Sequence, residues 1–122
     1  MMNSSSRAVA LTNLQWKIAH GVIGLKILKD TGQTTPFLLD FEKACNVAAN
    51  GKGLNGLIPS VLLSPEDAKR VSEMLLETKS LVDKCKKSKD EGSVETAIAG
   101  AEDLYCCVEG LARNPPMMRV AA

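Results

Sequence analysis

The chain has 122 residues, 45% of them apolar and only 3% aromatic, which is enough for one core and too little for two domains. Lys and Arg number 15 against 14 Asp and Glu, a formal net charge of +1, and this argues against a nucleic-acid binder with a basic excess on one face. The most apolar run, Ile18 to Leu28, holds 11 residues and includes His20 and Lys26, short of the roughly 18 that a membrane span needs.

Trp16, Tyr105, Phe37 and Phe41 are the whole aromatic set, so the core has to come from Leu, Val, Ile, Ala and Met. That palette suits packed helices better than a sheet, which favours β-branched and aromatic residues. Four stretches carry a helical period, separated by Gly, Pro, Asn or Thr. The expected fold is therefore all-α, a small bundle of about four helices over approximately 7–29, 37–50, 65–89 and 94–113, with a Gly-rich connection at 51–63. Residues 1–6 are expected to be a flexible start, 7–113 one domain, and 114–122 a loose tail, because Pro115 and Pro116 cannot continue a helix. The polar opening Met1 to Arg7 reads poorly as a signal peptide, which makes the cytoplasm the expected location.

The first stretch is apolar on two sides. Leu11, Leu14, Ile18, Val22 and Leu25 form a core-facing stripe. Opposite them stand Val9, Trp16, Ile23 and Ile27, spaced seven, seven and four apart, with His20 and Gly24 alongside. No helix of a bundle this small is fully enclosed, so the second face calls for a cover. A partner interface made by Val9, Trp16, His20, Ile23 and Ile27 is the expectation, with Gly24 letting another helix come close. The alternative cover is the segment Leu54 to Leu63, folded back over the same face.

His20 is the only histidine. In His20-Gly21-Val22-Ile23-Gly24 the chain resembles the His-x-x-Lys-Gly pattern of histidine phosphotransfer domains, which are also four-helix bundles of about this size. Gly24 matches the pattern, whereas Ile23 stands where that family has Lys, and the histidine comes earlier in the chain than in the family. The resemblance implies a phosphoryl-carrying or ligand-binding bundle using His20. The bland reading is a histidine partly buried at an apolar face.

The second stretch follows Thr35-Pro36 and turns Phe37, Leu38, Phe41, Ala44, Cys45 and Ala48 to one side. After it, Gly51-Lys52-Gly53-Leu54-Asn55-Gly56 spells G-x-G-x-x-G. A dinucleotide site needs a strand before that run and a helix directly after it, and here the preceding residues look helical. Glycines ending a helix are the better account. Leu57 to Leu63 is then an apolar run suited to a short buried helix.

The third stretch has a reason for each starting residue. Ser64 can cap an orphan amide, Pro65 fits the first helical position, and Glu66 and Asp67 meet the positive end of the dipole. Ala68, Val71, Met74, Leu75, Leu81, Val82 and Cys85 recur at helical spacing, with Glu73, Glu77, Lys84 and Lys87 on the other side. The closing lysines Lys84, Lys86, Lys87 and Lys89 suit the negative end of a helix. The fourth stretch opens after Ser93, a plausible cap, and aligns Val94, Ala97, Ile98, Ala101, Leu104, Tyr105, Val108, Leu111 and Ala112.

Little here suits catalysis. The acid pairs Glu66/Asp67 and Glu102/Asp103 are adjacent and diverge on a helix. Four cysteines without a Cys-x-x-Cys pair, and one histidine, make a poor zinc set. Cys45, Cys85, Cys106 and Cys107 read as small hydrophobes in a reducing compartment, with Cys107 bordering the apolar stripe and Cys106 on the polar side. Two disulfides in a secreted chain remain the other option. The expectation is a non-enzyme with no cofactor or metal and no nucleic-acid partner, acting through protein contacts as a self-associating subunit, an adaptor or a small chaperone.

Overall fold

The computed structural model describes residues 4–47, 58 and 62–113, with side chains from Arg7 onward. It contains four helices, α1 (Ser4–Thr31), α2 (Pro36–Val47), α3 (Pro65–Ser88) and α4 (Glu91–Arg113). Helix accounts for 90% of the described residues, and no strand is present among them. The glycine run 51–56 lies outside the described residues, as do Ala48 and the tail from Asn114.

Helix α1 packs on α4 and on α2, while α3 packs on α4 and on α2, so α1 and α3 occupy opposite corners of the bundle. Two contacts fix the sense of α1 against α4. Lys29 near the end of α1 reaches Glu95 near the start of α4 at 2.9 Å. At the other end, Arg7 Nη1 donates to the Leu111 carbonyl at 2.6 Å. The two helices are antiparallel, and residues early in α1 sit beside residues late in α4.

The core is mainly aliphatic, as the composition requires: Leu11, Ile18, Leu25, Leu75 and Leu104 are fully buried, and Phe41 adds a buried ring among them. Ile58, Leu62 and Leu63 join this same core, so the buried part of the α2–α3 connection plugs the bundle interior. The stripe expected on α2 is only partly internal. Leu38, Phe41, Ala44 and Cys45 are buried, but Phe37 is 43% exposed and Leu39 faces out as well. Three apolar residues in succession, Phe37 to Leu39 after Pro36, cannot all face one way on a helix.

Helix α3 starts as its sequence dictates. Ser64 is extended, its Oγ accepts from the Asp67 amide at 3.1 Å, and Pro65 opens the first turn. The helix ends with Lys89 in the left-handed region at φ 55°, its amide donating to the Cys85 carbonyl. Lys86 is more than a dipole partner, since its ammonium meets both carboxylate oxygens of Glu42 on α2 at 3.1 Å. The cap of α4 is Asp90, not Ser93. Asp90 Oδ2 accepts from the Ser93 amide at 2.9 Å, and Oδ1 accepts from the Ser93 hydroxyl at 2.8 Å. Both residues are good cappers, but a carboxylate at the positive end of a helix is the stronger one, so α4 begins three residues earlier than 94.

Helix α1 begins at Ser4, earlier than 7. It closes with Gly32 at φ 74°, whose amide donates to the Leu28 carbonyl, a left-handed cap that glycine adopts without strain. Gly21 and Gly24 are buried against α2: a Cβ on Gly21 would strike the Phe41 ring, and one on Gly24 would come within 2.6 Å of the Leu38 backbone nitrogen. Gly24 does admit a close helix, but that helix is α2 of the same chain and not a partner's.

Candidate interaction surface on the first helix

With the core stripe of α1 turned inward, its opposite stripe is left on the surface. Val9 is 60% exposed, Trp16 63% and Ile23 43%, while Ile27 is half-buried. Of the residues expected in the interface, Val9, Trp16 and Ile23 thus form an open row, and His20 and Ile27 lie at its edges. Of the alternative cover, the segment Leu54 to Leu63, only Ile58, Leu62 and Leu63 are among the described residues, and these three belong to the main core.

The flank towards α2 carries a ring cluster. His20 packs edge-on to Trp16 with centroids 6.3 Å apart and tilts against Phe37 at 5.5 Å. These are three of the five ring side chains in the protein, gathered at the surface of a molecule with few rings to spend. His20 Nδ1 lies 3.3 Å from Asp40 Oδ2, and Lys17 Nζ lies 3.9 Å from Asp40 Oδ1. Asp40 therefore fixes the imidazole plane and neutralises the nearest lysine. Helix α2 begins with Pro36, and its first turn is what places Phe37 and Asp40 within reach of α1.

The flank towards α4 holds a groove of about 350 Å³, lined by Ala19, Val22, Ile23, Glu102, Tyr105 and Cys106. Cys106, expected on the polar side, is exposed and forms part of this mostly apolar wall. Phe37, Asp40 and Tyr105 complete the surface, and sequence reasoning did not include them. Phe37 alone left a trace, in an apolar run too continuous for one face. Asp40 and Tyr105 come from other helices, so no spacing along α1 could have named them.

Chemically the surface binds more readily than it reacts. Among the described residues no group of three or more His, Cys, Asp or Glu side chains could hold a metal ion. The imidazole and the exposed thiol lie on opposite flanks of α1, so His20 cannot activate Cys106. The other thiols are held in their neutral form. Burial, with Glu42 adding to it, pushes Cys45 up to about 12, and burial raises Cys85 and Cys107 as well. All four cysteines are free thiols. No helix among the described residues is long and apolar enough to cross a membrane.

Comparison with family models, with curated proteins and with solved structures finds no match for this chain, so the α1 surface is judged on its own chemistry.

Proposed function

We propose that the protein is a non-enzymatic helical bundle that works through protein contacts made by the outer face of α1, as a self-associating subunit, an adaptor or a small chaperone. The observation that carries this reading is Trp16, 63% exposed in the middle of an apolar row. Each large aliphatic side chain left in water forgoes roughly 1.5–3 kcal/mol of burial. A contiguous apolar patch is a usual mark of a binding site, and Trp is over-represented among the residues that dominate binding energy. A reducing cytoplasm fits four free thiols, two of them buried as small apolar groups.

The test compares wild-type protein and Trp16→Glu as baits in an extract of the source cells, with circular dichroism showing both to be equally helical. A protein retained by the wild type and lost by the variant supports the reading, whether that protein is another chain or a further copy of this one. Identical retention by both baits overturns it.

One observation favours a second reading, phosphoryl carriage on His20. The ring is half-exposed on a long helix, with Nδ1 held against Asp40, so Nε2 is the nitrogen left to accept a phosphoryl group. Acetyl phosphate should then label wild-type protein at an acid-labile site and leave His20→Gln unlabelled. Absence of label on both removes this reading.

A further inference from the structure

We propose that the groove between α1 and α4 is filled by this chain's own residues 114–122, with Met117 and Met118 on its apolar wall and Arg119 at Glu102. The groove, of about 350 Å³, has Ala19, Val22 and Ile23 on one side and Tyr105 and Cys106 on the other, with Glu102 at the end farthest from Arg113. It follows the seam of two antiparallel helices, so a segment leaving the end of α4 can return along it. The residues after Arg113 are Asn114-Pro115-Pro116-Met117-Met118-Arg119-Val120-Ala121-Ala122. Neither proline can extend α4, and Asn114, standing before a proline, favours an extended backbone over a helical one. The chain is therefore directed off the axis of α4 at that point.

Register and reach agree. Lys29 meets Glu95, and Ile23 and Ala19 share the groove with Glu102 and Cys106, so each step forward along α1 matches one step back along α4. At about 1.5 Å per residue, Cys106 lies about 10 Å back from Arg113 and Glu102 about 16 Å back. An extended chain at about 3.1 Å per residue carries Met117 about 12 Å from Arg113, and Arg119 about 19 Å. The surplus of about 2–3 Å covers the sideways step from α4 into the groove. Met117 and Arg119 are two apart, so they share one side of an extended chain. The methionine then falls against Ala19, Tyr105 and Cys106 where the arginine falls at Glu102. An unbranched thioether suits an irregular apolar wall, and its sulfur packs favourably against a ring such as Tyr105.

Charge decides what the far end accepts. Past Ile23 the seam is lined by Lys26, Lys29 and Asp30 from α1 and by Glu95 and Glu102 from α4, two cations against three anions. Lys29 is held by Glu95 at 2.9 Å and by Glu91 at 3.7 Å. Lys26 stands four residues before Asp30, the spacing of a helical ion pair, and this leaves Glu102 as the unmatched carboxylate. One further cation completes the set, and Arg119 is the only charged residue after Arg113. The docked segment takes the α4 flank of α1 and leaves Val9 and Trp16 open, so it stands apart from the contact reading proposed above.

The experiment uses the purified full chain carrying Cys107→Ser, in which Cys106 is the exposed thiol and Cys45 and Cys85 are buried. Under a mild oxidant in dilute protein, Met117→Cys should close an internal disulfide with Cys106 about ten-fold faster than Ala121→Cys, since docking raises the local concentration at one position and not the other. With no cysteine in the segment, a thiol reagent should label Cys106 slowly. Met117→Asp together with Met118→Asp should speed that labelling about ten-fold or more, by freeing the wall that the methionines cover. Arg119→Glu should speed it about two- to five-fold, and Glu102→Arg on the same chain should bring it back. Circular dichroism should show every variant as helical as the parent. Equal closure at Met117→Cys and Ala121→Cys, labelling indifferent to the methionines, or failure of Glu102→Arg to rescue Arg119→Glu overturns the proposal. Covalent dimer in place of the internal bond gives the groove to another copy's segment and overturns it as well. None of these results touches retention of a partner at Trp16, so this failure and that of the contact reading are distinct.

Discussion

Arg7 carries a charge on its guanidinium yet is only 6% exposed. Its Nε donates to the Leu62 carbonyl at 3.1 Å, and its Nη1 donates to the Leu111 carbonyl at 2.6 Å. Leu111 lies in the last turn of α4, whose carbonyls have no partner within the helix and sit at the negative end of the dipole. One side chain therefore ties the start of α1, the entry to α3 and the end of α4 together. Arg7→Met should lower unfolding stability by roughly 2–3 kcal/mol, the range for hydrogen bonds made by a charged group. Arg7→Lys should recover less than half, because a point-like ammonium cannot span both carbonyls as the planar fork does. Urea denaturation within 0.5 kcal/mol of wild type, a typical surface effect, would show that the clasp contributes nothing. In the sequence Arg7 reads as the end of a polar start, and nothing nearby marks it, because both acceptors are backbone atoms more than fifty residues away.

At the scale of the helix, end signals were legible where one residue could satisfy the backbone and ambiguous where two could. The start of α3 is where Ser64-Pro65 places it, and its end falls at Ser88 against an expected 89. At the start of α4, Asp90 and Ser93 compete, and only the three-dimensional hydrogen bonds decide for Asp90. That carboxyl is held down to about 2, first by a hydrogen bond from Ser88 and then by the Ser93 amide and hydroxyl. A group whose folded pKa lies below its ordinary 3.8 stabilises the fold fully above the ordinary value, and loses that contribution as pH falls through the folded one. Wild type should therefore exceed Asp90→Asn in stability by a constant margin above about pH 5, and the margin should shrink between about pH 4 and 2. A margin independent of pH would mean the carboxylate charge has no part in the cap. The glycines make a second pair of opposites. A Cβ on Gly110 meets nothing within 4 Å, whereas one on Gly24 meets the Leu38 backbone at 2.6 Å. Gly110→Ala should stabilise by up to about 1 kcal/mol, the helix-propensity gain. Gly24→Ala should destabilise by about 1–3 kcal/mol, since a backbone contact yields only if α2 moves away. The letters of Gly24 showed a place for a close helix; they did not show whose.

The bundle as a whole explains why α1 is apolar on two sides while α3 is not. Helix α3 sits at the opposite corner and buries one stripe, Val71, Leu75, Val82 and Cys85, against α4 and α2. Helix α1 also buries one stripe between α4 and α2, and among the described residues no helix packs over its second stripe, which is open at Val9 and Trp16. Both stripes were visible in the spacing, because a period of 3.6 separates faces without knowing the neighbours. What the sequence lacked were the two flanks, Phe37 with Asp40 and Tyr105 with Cys106, which only packing brings beside α1. The two faces predict opposite responses to truncation. Ile18→Ala removes a fully buried side chain and should cost the folded monomer about 2–5 kcal/mol. Ile23→Ala, at 43% exposure, should cost the monomer well under 1 kcal/mol and act on association instead. Trp16 reports that difference directly, as the only tryptophan. In dilute protein its fluorescence should be quenched by acrylamide nearly as fast as free indole. If the face takes up a further copy, as a self-associating subunit would, quenching should fall and the melting temperature should climb as protein concentration rises, since a partner that binds only the folded state stabilises it by mass action. Ile23→Ala should move both curves to higher concentration and leave the dilute limit where it was. If quenching is the same at every concentration while the protein sediments as a dimer, the dimer is built elsewhere and the outer face of α1 takes no part in it.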